Sequence, residues 1–151
     1  MLALLLNTIM QELLARGYIY QLSKKQFGTK IATIITTILF TIMHGGAFEV
    51  GPIAIVNIIT MSLLMTIILE YSNNSLLIPI IMHLIWNVMG GLIFGVVSLA
   101  DDYPELYNLR VTGNPIISGG SVGMEGSVFV LIVNTIMIAI FYSLYMKRND
   151  Q

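Results

Sequence analysis

LLIPIIMHLIWNVMGGLIFGVV, residues 76–97, decides the fold class of this chain. It is long enough to cross a hydrocarbon core, which takes about 20 mostly apolar residues in a helix. It is also interrupted, by His83 and Asn87. Ionisable groups at membrane depth are costly and persist mainly where they face a protein interior and do work. His83 and Asn87 are spaced i, i+4 and so share one helix face. Pro79 falls in the first turn, and Gly90, Gly91 and Gly95 allow close helix approach or a kink.

The rest of the chain reads the same way. Of its 151 residues 56% are hydrophobic and 10% charged, with a mean hydropathy of +0.86. Soluble domains carry about 25% charged residues. These values predict an all-α polytopic membrane bundle, a single domain over residues 1–151 with about five spanning segments. The segments expected are Met1 to about Leu22, about Lys30 to His44, Pro52 to Tyr71, about Leu76 to Leu99, and Ser127 to Met146. A polar loop rich in Gly, Asn, Pro and acidic residues, about 101–126, joins the last two. There is no cysteine, which excludes disulfides, thiolate catalysis and Cys-ligated zinc. A net charge of −1 and the absence of a basic tract give no sign of a nucleic-acid partner. The bilayer is the partner the composition implies. The N-terminus lacks the basic stretch and cleavage site of a signal peptide.

Charge sets an expected orientation. Lys24, Lys25 and Lys30 precede the second segment, and Lys147 and Arg148 follow the fifth. Asp101, Asp102, Glu105 and Glu125 fall in the long loop, Glu49 in the second connection. Basic residues favour the cytoplasmic side. The N-terminus is therefore expected outside and the C-terminus in the cytoplasm, with Glu49 and Glu125 solvated and Tyr18, Tyr20, Tyr71, Tyr142 and Tyr145 forming interfacial belts. At about 1.5 Å per residue, Glu12 and His83 then lie about 14 Å deep, Asn87 about 20 Å and His44 about 21 Å. Three segments thus bring their rare polar side chains to one slab.

That set has a chemistry. Glutamate supplies an acid or base, histidine polarises or shuttles protons, and asparagine donates to a developing oxyanion. Together they suit hydrolysis of an amide by activated water. No serine stands convincingly beside a histidine as nucleophile. Plainer readings remain beside this one: Glu12 with Arg16 as a packing ion pair, His44 as a helix cap, and His83 with Asn87 as interhelical glue.

In three places the chain resembles the CAAX protease and bacteriocin-processing family of intramembrane endopeptidases, also called the Abi domain. The family is marked by E-E-x-x-x-R, F-x-x-x-H and H-x-x-x-N in successive membrane helices. Here these read Gln11-Glu12-Leu13-Leu14-Ala15-Arg16, Phe40-Thr41-Ile42-Met43-His44 and His83-Leu84-Ile85-Trp86-Asn87. The resemblance covers about Met10 to Gly91, with a looser echo in Gly119 to Ser127. It implies further membrane helices ahead of Met1. It also implies catalytic roles for the positions of Gln11, Glu12, His44, His83 and Asn87, with Arg16 and Phe40 as structural support. The family's mechanism is glutamate-activated water without cofactor or metal. A zinc site would need Glu12 as third ligand beside the two histidines.

One position departs from the pattern. The family's water-activating glutamate falls on Gln11, and an amide takes no proton. Either Glu12 has assumed the role, or the chain is weak or silent in catalysis, as a natural variant or an engineered trap. The resemblance implies a peptide or protein substrate reaching the membrane: CAAX-type, a bacteriocin or a peptide signal. The alternatives are a non-catalytic scaffold or immunity protein and a proton-coupled transporter fragment. On geometry, Arg16 is expected to pair with Glu12, leaving Gln11 turned toward His44 and His83.

Overall fold

The computed structural model describes residues 2–97, 104–120 and 123–149. It is a helix bundle, as the composition predicts. Three described helices are long and apolar enough to cross a membrane: Leu2–Met43, Pro52–Tyr71 and Val128–Arg148. A shorter apolar helix covers Leu77–Ile93.

The first of these is not one rod. Gly28 breaks it with φ 80° and ψ 170°, a backbone that favours glycine. The Arg16 guanidinium nevertheless lies 4.1 Å from the centre of the Phe40 ring. In a straight helix those residues would stand about 36 Å apart. The chain therefore reverses at Gly28. It forms α1 (residues 2–27) and α2 (residues 29–43), antiparallel neighbours. The two segments expected before residue 44 are present, but helix persists much closer to the reversal than the basic connection suggested.

After His44, a glycine-rich turn leads into the short α3 (Ala47–Val50). Gly51, at φ 134°, then admits α4 (Pro52–Tyr71), which starts on proline at a position where the missing N–H costs nothing. Asn73 and Asn74 close the next turn in left-handed conformations, which asparagine tolerates. α5 (Leu77–Ile93) follows. It ends at Ile93, short of the expected Leu99; Leu99 itself lies outside the described residues. The polar stretch beyond it is partly structured. The backbone N–H groups of Leu106, Tyr107 and Leu109 bond to the carbonyls of Leu92, Ile93 and Phe94, tying the loop to the end of α5. An antiparallel bridge joins Val97 to Gly123. α6 (Pro115–Ser118) and a 3-10 turn (Met124–Gly126) lead to α7 (Val128–Asn149).

α4 is the central helix. Half of its apolar window (50%) is buried inside the protein, against 11% for α7, whose apolar surface is left to lipid. α4 and α7 run parallel. At one end Asn57 donates to the carbonyls of Glu125 (2.7 Å) and Ser127 (2.9 Å), and Asn134 donates to Thr60. At the other, Arg148 bonds the Tyr71 carbonyl and Tyr71 meets Phe141 edge-on at 5.7 Å. Glu125 is buried, not solvated as expected. Tyr20 is also buried rather than interfacial; its hydroxyl donates to Glu70, which Lys24 pairs from α1 at 2.5 Å.

Asn57→Leu would remove the side-chain donor from the Glu125 and Ser127 carbonyls, the second of which also accepts from the Leu131 N–H at 3.4 Å. It is expected to destabilise the protein by about 1–3 kcal/mol. It would also speed proteolytic nicking of residues 104–120, read as the cleavage half-life in detergent. An unchanged half-life would contradict the anchoring.

Candidate active site

The polar side chains singled out in the sequence come from α1, α2 and α5, and α4 adds one that no sequence pattern marks. Glu12 and Arg16 have fully buried side chains and form an ion pair at 3.0 Å. The expected pairing is therefore present. His83 approaches the same carboxylate oxygen, Nδ1 to Glu12 Oε1 at 2.8 Å. Glu12 Oε1 thus accepts from Arg16 on its own helix and from His83 on α5. A carboxylate taken out of water needs compensation of this kind.

Gln11 does not take the place expected of it. Glu12, not Gln11, is the residue that meets a histidine. Adjacent helical positions point about 100° apart, and the phase here gives the inward direction to Glu12. The Gln11 amide donates to Asn7 Oδ1 at 3.3 Å, one turn toward the N-terminus. Its Oε1 is shielded from solvent and accepts no hydrogen bond from protein groups.

His44, half-buried at the end of α2, has Nδ1 2.8 Å from the carbonyl of Phe40. A carbonyl oxygen only accepts, so this Nδ1 carries the proton. Nε2 is then left with its lone pair. The Glu12 carboxylate holds His83 Nδ1–H in the same manner. Both rings are thus oriented through Nδ1, with Nε2 available for chemistry. Their centres lie 5.9 Å apart. Phe40 packs against both, 4.3 Å from the His44 ring and 5.6 Å from His83, while its face receives the Arg16 guanidinium. Phe40 is buried and acts as the spacer of the site.

Asn87, one turn beyond His83, donates through Nδ2 to Thr8 Oγ1 at 3.2 Å. Thr8 is fully buried on α1, one turn from Glu12. This contact fixes the Asn87 amide and leaves a second N–H for another acceptor. The contribution from α4 is Ser62, to which Arg16 Nη2 donates twice, at 2.9 Å to Oγ and 3.2 Å to the carbonyl.

Two helices change pitch at the site. Leu13–Ile19 and Trp86–Ile93 wind in the wider π form. The first stretch begins directly after Glu12 and holds Arg16; the second begins three residues after His83 and holds Asn87. π turns inside α-helices recur at functional sites, because they re-aim side chains relative to the regular ladder. Periodicity alone does not reveal them.

Among the described residues, no group of three or more His, Cys, Asp or Glu side chains is placed to hold a metal ion. Glu12 Oε1 is shared by Arg16 and His83, while Oε2 has no hydrogen-bond partner.

The family model described as type II CAAX prenyl endopeptidase Rce1-like matches residues 1–89, more than half of the chain. All seven residues singled out from the sequence fall within that span. No curated protein and no solved structure matches.

Proposed function

The chain belongs to the Rce1-like type II CAAX prenyl endopeptidase family, a family of membrane proteases, and from that membership we propose that it is an intramembrane endopeptidase that cleaves membrane-associated peptides with activated water. The observation that carries the proposal is the pair of histidines from separate helices, each tied through Nδ1, 5.9 Å apart beside a buried glutamate.

The roles follow from what each atom has left to offer. Glu12 Oε1 is shared by Arg16 and His83 and so orients the His83 ring, while Glu12 Oε2 has no hydrogen-bond partner. His44 Nε2 is the free base. It takes a proton from water as the oxygen attacks the scissile carbonyl. The developing oxyanion is met by the spare N–H of Asn87. The imidazolium at His44 then returns its proton to the leaving amine, which restores the site. Gln11 Oε1 is shielded and has no protein donor, and an amide at that position takes no proton.

The substrate is a peptide bond in a segment that reaches the bilayer, either at a prenylated CAAX-type terminus or in a bacteriocin or peptide signal. The lysine-bearing connection and the C-terminus face the cytoplasm, with the long loop outside. A second reading, a non-catalytic scaffold or immunity protein on the same fold, is favoured by the amide at position 11. The two are separated by incubating the protein in liposomes with a prenylated CAAX peptide, its unprenylated twin and a leader-type peptide. Cleavage that falls by about 10²–10⁴-fold on His44→Ala supports the protease. Binding that persists with no cleavage by the parent chain or by Gln11→Glu supports the scaffold.

A further inference from the structure

We propose that Ser62 is a positioning residue for His83, acting through Arg16 and Glu12. Its meaning for catalysis rests on the hydrolytic reading above. Ser62 sits on α4, fully buried, outside the three sequence motifs.

Hydroxyl side chains in apolar helices commonly turn back to a carbonyl one turn earlier. Thr33, Thr41, Thr66, Thr135 and Ser143 all do this here, at 2.7–2.8 Å for four of them and 2.9 Å for Thr66. Ser62 does not. Its Oγ accepts from Arg16 Nη2 at 2.9 Å and donates across to Thr37 Oγ1 on α2 at 3.4 Å. Its carbonyl takes a second bond from the same Nη2 at 3.2 Å, and a third from Thr66 at 2.9 Å. The hydroxyl's proton and lone pair are thus both assigned, and they link three helices.

The consequence lies at the far end of the guanidinium. Arg16 Nε has no hydrogen-bond partner. The group is gripped only at its two ends, by Ser62 at Nη2 and by Glu12 at Nη1, with Phe40 beneath its face. Arginine's fork is rigid, so fixing one end aims the other. Ser62 therefore sets where Nη1 holds Glu12 Oε1, and that oxygen is the one that holds His83 Nδ1. A chain of four side chains, Ser62–Arg16–Glu12–His83, runs from the central helix to a catalytic ring.

The chain has two histidines, so isotope labelling of histidine alone resolves both rings by NMR in micelles. His44 is held by the Phe40 carbonyl and serves as the internal control. In Ser62→Ala, the His83 Nδ1–H is expected to exchange with solvent at least about tenfold faster, the factor set by loss of one charge-assisted bond. His44 is expected to be unchanged, and Ser62→Thr, which keeps the hydroxyl, to match the parent. If Ser62→Ala does not fold, Ser62→Cys keeps the volume with a weaker acceptor and is expected to loosen His83 selectively. Unchanged His83 protection, or equal loosening of both rings, overturns the proposal. Cleavage is not read in this experiment, so its failure leaves the protease reading standing, and the converse also holds.

Discussion

Arg16→Ala is expected to destabilise the protein by about 3–5 kcal/mol, the typical cost of removing one partner of a buried ion pair. Arg16 and Glu12 are both fully buried. The arginine also supplies both bonds that α1 makes to Ser62 on α4, and it covers the face of Phe40. Its removal leaves Glu12 with His83 as its one remaining partner and strips α4 of its polar link to the site. The outcome is a lower thermal midpoint and lower yield in detergent, whatever the assay of activity reports. Arg16→Lys is expected to recover only part of the loss, because an ammonium group does not reach Glu12 and Ser62 together as the planar fork does. An Arg16→Ala protein that melts with the parent would show that the pair is not buried and that α1 is wrongly phased.

Gln11→Glu is expected to raise the rate of peptide cleavage by about 10²–10⁴-fold, the usual contribution of a positioned general base. Gln11 Oε1 is shielded, accepts no protein hydrogen bond and lies on the residue next to Glu12. A carboxylate there adds what the amide lacks, a second acceptor for the proton of water besides His44 Nε2. The gain is expected in kcat and to disappear when His83→Ala is added, because the two groups then serve one reaction. No cleavage by Gln11→Glu on any substrate class tried would remove most of the support for the protease and leave the scaffold.

Much of this site was legible because polar residues are so scarce in apolar runs. Glu12, Arg16, His44, His83 and Asn87 stood out against leucine and isoleucine, and helical spacing paired Glu12 with Arg16 and His44 with Phe40, whereas His83 and Asn87 find their partners on α1. The five helical segments were equally plain from hydropathy. Three features were not. Ser62 was invisible because serine in a membrane helix usually bonds its own backbone; only the tertiary fold turns it toward Arg16. The inward choice of Glu12 over Gln11 depends on helix phase, which the π stretch from Leu13 to Ile19 shifts and which no side-chain pattern reports. Tyr20 and Glu125 read as boundary residues, yet neighbouring α2, α4 and α7 bury them. Local sequence records which groups are costly, and the packing of distant helices decides which of them is satisfied by which.

The central claim, that these helices assemble a site for hydrolysis by water, is tested most directly by mass spectrometry of a membrane-bound substrate peptide. The peptide is incubated in heavy-oxygen water with the Gln11→Glu protein in liposomes. Two fragments are expected, the N-terminal one with one heavy oxygen in its new C-terminal carboxyl and the other with a new unlabelled amine, and neither when His83→Ala is combined with Gln11→Glu. An N-terminal fragment without heavy oxygen, or fragments that persist undiminished in the double variant, would contradict it.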